Sequence, residues 1–366
     1  MKFVYNFSPE QVSLPQDMDI MTTSLSSPFF SDGSSPLSLD NTSESYEALA
    51  QTAEADLRSL LNIPISYKVL FMPGGAEAQY AAIPLNLLSD HRCADYIVTG
   101  AQSKKAYLEG KRYGDMAIAA SSAGYVPAFS TIPDTKRSDF RPDADYVHIC
   151  YNNPHFGTRF HKTPDTGNIP LVADVSSCFL SEPLQISDFG MLYADLRLCL
   201  LPAGMTVVIV RSDLLGSPRE ATPSVLDYRT VLTEGHAFHS PSALCLYTAS
   251  CLFRRMLDMG GLEEIKRRGE RKASLLYDYL DSQTYYTAPA DKKYRSMTNV
   301  VFTTGNGVMD ERLADMAEAE GLLCLRPHTS SHGLCAALQF AMPYEGVEAL
   351  VKFMKRFAFE NPKLLI

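Results

Sequence analysis

MLYADLRLCLLPAGMTVVIVRSDLL, Met191 to Leu215, is the stretch from which the fold is read. Val207 to Val210 is an unbroken β-branched run, which wants cover on both faces as a strand inside a parallel sheet has, and Pro202-Ala203-Gly204 turns the chain into it. The half before that turn, Tyr193 to Leu201, is less regular and sets Asp195 and Arg197 among leucines.

Working upstream, short apolar runs at Pro170–Val175, Asp145–Tyr151, Met116–Ser122, Asp95–Thr99 and Tyr67–Met72 read as strands. Helical spacing falls between them at Ser103–Tyr113 and from Gln79 to Leu88. Such alternation predicts an α/β fold, a mainly parallel sheet covered by helices on both faces, with ligands at the carboxyl ends of strands. Asp174 stands at one such end. Pro73-Gly74-Gly75-Ala76 turns the strand at 67–72 directly into a helix. That arrangement is either a plain connector or an anion cup, because amide hydrogens converge at a helix start and the helix dipole favours negative charge there.

Toward the N-terminus, residues 20–45 are rich in Ser, Thr, Pro, Asp and Gly and read as loop; Tyr46–Leu61 is a predicted helix stopped by Asn62-Ile63-Pro64. Downstream, Ser242–Asp281 is helical with a break at Gly260-Gly261, a hinge between domains. Beyond it Asn299–Thr303 (strand), Glu311–Leu322 (helix), Leu338–Met342 (strand) and Val347–Phe359 (helix) form a smaller α+β unit. The expected organisation is therefore an N-terminal segment and mobile loop at 1–45, a large domain at 46–259 and a small domain at 260–366.

The chain of 366 residues is 46% hydrophobic and 20% charged, ordinary for a globular protein, and its net charge of −9 argues against nucleic-acid and membrane-surface partners. No stretch approaches the roughly 18 apolar residues of a membrane span, and MKFVYNFSPEQ lacks the apolar core of a signal peptide, so a cytoplasmic location is expected. Eight cysteines without a CxxC suggest neither a disulfide framework nor a zinc site. His236 with His239, and His328 with His332, have spacings that can hold a metal, but no carboxylate accompanies them at ligand spacing, and no metal site is expected.

Several blocks in order resemble the phosphoserine aminotransferases, class V enzymes of the pyridoxal-phosphate fold type I. They are Ala53 to Pro64, Tyr67 to Gln79, Pro84 to Leu88, Val98 to Ala106, Tyr146 to His148, Val172 to Ser177 and Pro202 to Gly216. The likeness runs from Tyr5-Asn6-Phe7-Ser8 to Met342-Pro343. It implies a large domain with a mainly parallel seven-stranded sheet, a small α+β C-terminal domain, and a homodimer with sites at the subunit interface. It also implies transfer of an amino group between glutamate and 3-phosphohydroxypyruvate in serine synthesis. That chemistry uses a lysine to hold the cofactor as an imine and a carboxylate to keep its pyridine nitrogen protonated.

Carried over residue by residue, the resemblance puts Asp174 on the pyridine-binding carboxylate, Gly75 and Ala76 on the phosphate cup, and Ser240, beside His239, on a threonine reaching the phosphate from the partner subunit. Other positions depart. The family's lysine, in a Tyr-Ala-Gly-Ala-Gln-Lys-Asn run, falls without a gap on Leu198, and its preceding glutamine falls on Arg197; no lysine lies between Lys162 and Lys266. The stacking tryptophan falls on Gln102 and the cofactor threonine on Pro154. Substrate-gripping arginines fall on Thr42, on Thr329 beside a kept His328, and on Cys335, with His332 in place of a glycine.

Three readings follow. In the first, the chain has lost transamination and acts as a dimeric binding or regulatory homologue, pyridoxal phosphate being held, if at all, otherwise than as a lysine imine, and an active paralogue being a further candidate partner. In the second it is an active phosphoserine aminotransferase; in the third it runs different chemistry in the same cleft. A buried Asp174 without a protonated pyridine would need another positive charge, and Arg197 is expected either to turn toward it or to pair with Asp195.

Overall fold

The computed structural model describes residues 4–9, 25, 27–89, 91–198 (198 by its backbone), 204–216, 218–235, 241–326 and 331–362. In chain order, β1 (Tyr5–Asn6) precedes α1 (Glu44–Leu61), β2 (Tyr67–Pro73), α2 (Ala76–Leu87), β3 (Cys93–Val98), α3 (Ala101–Gly110) and β4 (Asp115–Ser121). Next come β5 (Val147–Cys150), a small β6 (Asn152–Asn153) and β7 (Thr158–Arg159) hairpin, β8 (Leu171–Asp174), β9 (Met191–Asp195) and β10 (Met205–Arg211). The remainder is α4 (Tyr228–Glu234), α5 (Ala243–Asp258), α6 (Gly261–Asp281), β11 (Asn299–Phe302), α7 (Gly307–Ala319), β12 (Leu322–Leu323), β13 (Leu334–Ala337) and α8 (Tyr344–Glu360).

Seven strands form the main sheet in the order β2-β10-β9-β8-β5-β3-β4. All neighbours are parallel except β10, which runs antiparallel to both β2 and β9. Strands β3, β5, β8 and β9 are buried at every position, which is why their sequences are continuous apolar runs without alternation. The reversed strand has a consequence for the site. Register pairs Met205 with Pro73 and Thr206 with Asp195, so the start of β10 lies at the edge where β2, β8 and β9 end.

Helix α1 shows how local signals agree with packing. The Ser43 hydroxyl accepts from the Tyr46 amide at 3.1 Å, Glu44 and Glu47 complement the N-terminal dipole, and Asn62 ends the helix in the left-handed region at φ 50°. Its buried residues, Tyr46, Leu49, Ala50, Ala53, Leu57, Leu60 and Leu61, follow helical spacing and pack toward α5. Arg254 on α5 reaches Asp56 at 2.6 Å.

Met191–Asp195 is a strand that the sequence pattern does not single out, and one expectation needs correction. The second strand of the C-terminal unit is Leu334–Ala337 rather than Leu338–Met342. Leu338, Phe340 and Met342 alternate like a strand, but Leu338 follows the strand's end and Phe340 and Met342 lie in a turn closed by Met342 N–H to Gln339 C=O at 3.0 Å. The true strand holds Cys335, Ala336 and Ala337, small residues whose strand preference is weak. Apolar residues of α7, α8, β11 and β13 form a cluster separate from those under the main sheet, and Phe7 from the N-terminus belongs to it. Among the described residues no helix is long and apolar enough to cross a membrane.

Candidate functional site

At the carboxyl edge of the sheet two buried carboxylates end adjacent strands: Asp174 closes β8 and Asp195 closes β9. Ser176 connects them. Its amide and hydroxyl donate to Asp174 Oδ1 at 2.9 and 2.5 Å, and its Oγ accepts from the Asp195 amide at 2.9 Å. Asp174 Oδ2 carries no hydrogen bond among the described residues. Burial pushes the Asp174 carboxyl up to about 6, against the two Ser176 bonds and with help from the negative charge of Asp195.

Asp195 is held on both oxygens. Oδ1 accepts from the Arg197 amide at 3.0 Å, and Oδ2 accepts from Arg197 Nη2 at 3.4 Å and from the Ala76 amide at 3.4 Å. Burial raises its pKa, opposed by the Arg197 charge and by the Arg197 and Ala76 amides. The anion cup at the start of α2 thus already faces a carboxylate. A Cβ on Gly75 would come within 2.8 Å of Asp195 Oδ2, so glycine is what allows this approach. A phosphate set at this helix start would meet Asp195 and find the Ala76 amide engaged.

Arg197 therefore pairs with Asp195 and not with Asp174, which settles the two alternatives stated above. The reason is local: a 3₁₀ turn, Leu196–Leu198, follows β9 and folds the arginine amide and guanidinium back two residues. Among the described residues Asp174 makes no ion pair, and its raised pKa lets it keep a proton up to about pH 6. Leu198 closes the same turn.

Other expected site residues gather at the same edge. Tyr80 on α2 donates to Gln102 Oε1 at 3.3 Å, and burial together with the charge of Asp174 raises its phenol well above the ordinary value. Buried Pro154 accepts at its carbonyl from the Cys335 thiol at 3.4 Å, so these two positions touch. Next to them Asn152 bonds Ser177 Oγ at 2.7 Å and Asn299 Oδ1 at 2.9 Å, tying the sheet edge to β11. His332 Nε2 lies 2.6 Å from the Ala128 carbonyl. Thr42 bonds Asp40 ahead of α1 and none of the hydrogen bonds of the described residues ties it to this cluster. His236, His239, Ser240, His328 and Thr329 lie outside the described residues. Among the described residues no group of His, Cys, Asp and Glu has an arrangement suited to a metal ion. His148, buried on β5, is kept neutral with its pKa lowered to about 3 by burial and bonds the Tyr193 hydroxyl at 2.8 Å, a core role.

Sequence reasoning missed the role of Asp195, Ser176 and Tyr80. A signal for the first was present: an acid where the resembled family has glycine, directly after Tyr193-Ala194.

Comparison with known proteins decides the lineage. The class-V aminotransferase family profile matches residues 26–350. A phosphoserine aminotransferase from Laribacter hongkongensis is 40% identical, covering 97% of this chain and 98% of its own. The chain belongs to the phosphoserine aminotransferase family of class V aminotransferases. Among solved members, a phosphoserine aminotransferase studied for radiation damage of its Schiff base superposes with a TM-score of 0.93 at 34% identity, covering 99% of this chain and all of that one. The phosphoserine aminotransferase of Trichomonas vaginalis, solved with PLP bound, superposes at 0.89 with 29% identity over 96% of this chain and all of that one. The fold is thus that of PLP-dependent aminotransferases, and the family's expected cofactor is pyridoxal phosphate.

Proposed function

We propose that this member of the phosphoserine aminotransferase family has given up transamination through a lysine imine and serves as a homodimeric binding or regulatory homologue. The observation that carries the reading is Leu198. It falls on the family's lysine in a register fixed by Tyr193-Ala194 before it and Pro202-Ala203-Gly204 after it, and no lysine lies between positions 162 and 266 to replace it. Leucine can neither form an imine nor carry a proton, and general acid–base catalysis alone is typically worth about 10²- to 10⁴-fold. Gln102, Pro154 and Cys335 support the same reading, because the residue types that stack on the ring, bond the cofactor and grip an anionic substrate are replaced together.

A second reading, an active phosphoserine aminotransferase in serine synthesis, is favoured by the whole-chain likeness, 40% identity over nearly the full length of a relative of that name. One experiment separates the two. The purified chain is incubated with pyridoxal phosphate, reduced with borohydride and mapped by peptide mass spectrometry. The first reading expects no stoichiometric adduct on any one lysine; a stoichiometric adduct together with formation of glutamate from phosphoserine and 2-oxoglutarate establishes the second.

A further inference from the structure

We infer that Asp195 is a built-in anion that occupies the phosphate cup of this cleft, so that the site draws no binding advantage from a ligand's phosphate. The inference goes beyond the loss of the imine, since a chain without the lysine could still hold a phosphorylated cofactor by its phosphate.

Three observations carry it. A helix start of twelve residues' helix, α2, presents its amides after a glycine turn, the arrangement that binds anions. The carboxylate of Asp195 is already there, buried, with the Ala76 amide on Oδ2 at 3.4 Å, and its Oδ2 lies so near Gly75 that a Cβ there would come within 2.8 Å. Its charge is balanced from the chain itself by Arg197, whose amide and guanidinium both return to it at 3.0 and 3.4 Å. Among the described residues the Ala76 amide, the Asp195 carboxylate and the Arg197 guanidinium are thus already paired with one another, so an incoming dianion meets a negative charge at this helix start.

The rest of the edge has the same sign. Asp174 and Asp195 are buried a serine apart, and exposed Glu77 on the first turn of α2 adds negative charge felt by both, against the single guanidinium of Arg197. An incoming phosphate would have to displace Asp195 from the helix start and then remain near three carboxylates. The same charge pattern favours a small neutral or cationic ligand whose positive or hydrogen-bearing nitrogen meets Asp174 Oδ2, the carboxylate oxygen that no described residue bonds.

Pyridoxine and pyridoxine 5′-phosphate test this directly, because they differ only in the phosphate and carry no aldehyde to react with surface lysines. Both are titrated by calorimetry into the full-length chain, into Asp195→Gly, which empties the cup, and into Asp195→Asn, which keeps the shape and removes the charge. Thermal melts report that each variant is folded. The parent is expected to show no preference for the phosphorylated form beyond about threefold, while the folded variants gain at least about tenfold in its favour, most in Asp195→Gly. Asp195→Asn carries the test where Asp195→Gly does not fold. A parent that prefers the phosphorylated form by about tenfold or more overturns the inference, and so does a folded variant that gains nothing. Neither result depends on whether a lysine imine forms, so this inference and the loss of transamination stand or fall separately.

Discussion

Asp174 and Asp195 end neighbouring parallel strands, are both buried, and share one serine, yet they are used in opposite ways. Among the described residues Asp174 has one oxygen without a hydrogen bond and is pushed up to about 6, whereas Asp195 has both oxygens engaged and its own counter-cation. The difference teaches that a strand-end carboxylate is a ligand group only while its second oxygen is open. Among the described residues Asp195 has Arg197 as its ion-pair partner and Asp174 has none, so only Asp174 keeps an oxygen open to a further group.

The comparison breaks most visibly if two of the departures from the resembled family, Leu198 and Asp195, are reversed together. In Leu198→Lys alone, with the cup still filled by Asp195, borohydride after incubation with pyridoxal phosphate should label residue 198 far below stoichiometry. In Leu198→Lys combined with Asp195→Gly, labelling should approach one per chain, read by peptide mass spectrometry. Full labelling of the single variant would mean that Asp195 does not guard the cup. The size of the effect has an electrostatic basis: two unit charges about 4 Å apart interact by about 4 kcal/mol at an effective dielectric constant of about 20.

A second prediction sharpens the contrast through pH. Unfolded, Asp174 loses its proton near the ordinary value of 3.8; folded, it keeps it up to about 6. Between these values the folded state binds more protons, so this group's contribution to stability falls as pH rises and is flat above about 6. Asp174→Asn removes that penalty. Its stability gain over the parent should grow from about pH 4 to about pH 6 and level off at no more than about 3 kcal/mol. Denaturant melts across that range measure it, and a gain independent of pH would show that Asp174 is ionised throughout.

Smaller effects are expected at the residues that link and balance the pair. Ser176→Ala removes a donor to Asp174 and leaves the Asp195 amide unpaired in the interior, costing about 1–3 kcal/mol by chemical denaturation. Arg197→Met should cost about 0–1 kcal/mol, because the guanidinium is 39% exposed and the pair is long at 3.4 Å. If Arg197→Met proved as costly as Ser176→Ala, the arginine would be a structural tie rather than a counter-charge.

Much of the scaffold was legible because its signals are redundant. Apolar runs with cover on both faces, the glycine turn at 73–76 and the Ser43-capped helix each agree with the packing that surrounds them. The strand Met191–Asp195 was hidden because its last residue is an acid and its continuation is a turn rather than a regular element. The strand at 334–337 was hidden by small residues beside a more hydrophobic turn. Asp174 could be singled out from its strand end and Gly75 and Ala76 from the glycine turn, and the structure places all three at one edge of the sheet, whereas the partner of Arg197 was open between two carboxylates. Sequence gives the order of Asp195 and Arg197 but not the 3₁₀ turn that folds one onto the other, and only that turn decides between Asp174 and Asp195.

The most direct test of the account is a stoichiometric one. The chain at high concentration is mixed with equimolar pyridoxal phosphate and excess glutamate, and 2-oxoglutarate release is followed against a protein-free control. The account predicts release no faster than the control; 2-oxoglutarate released faster than the control and in an amount approaching one per chain would contradict it.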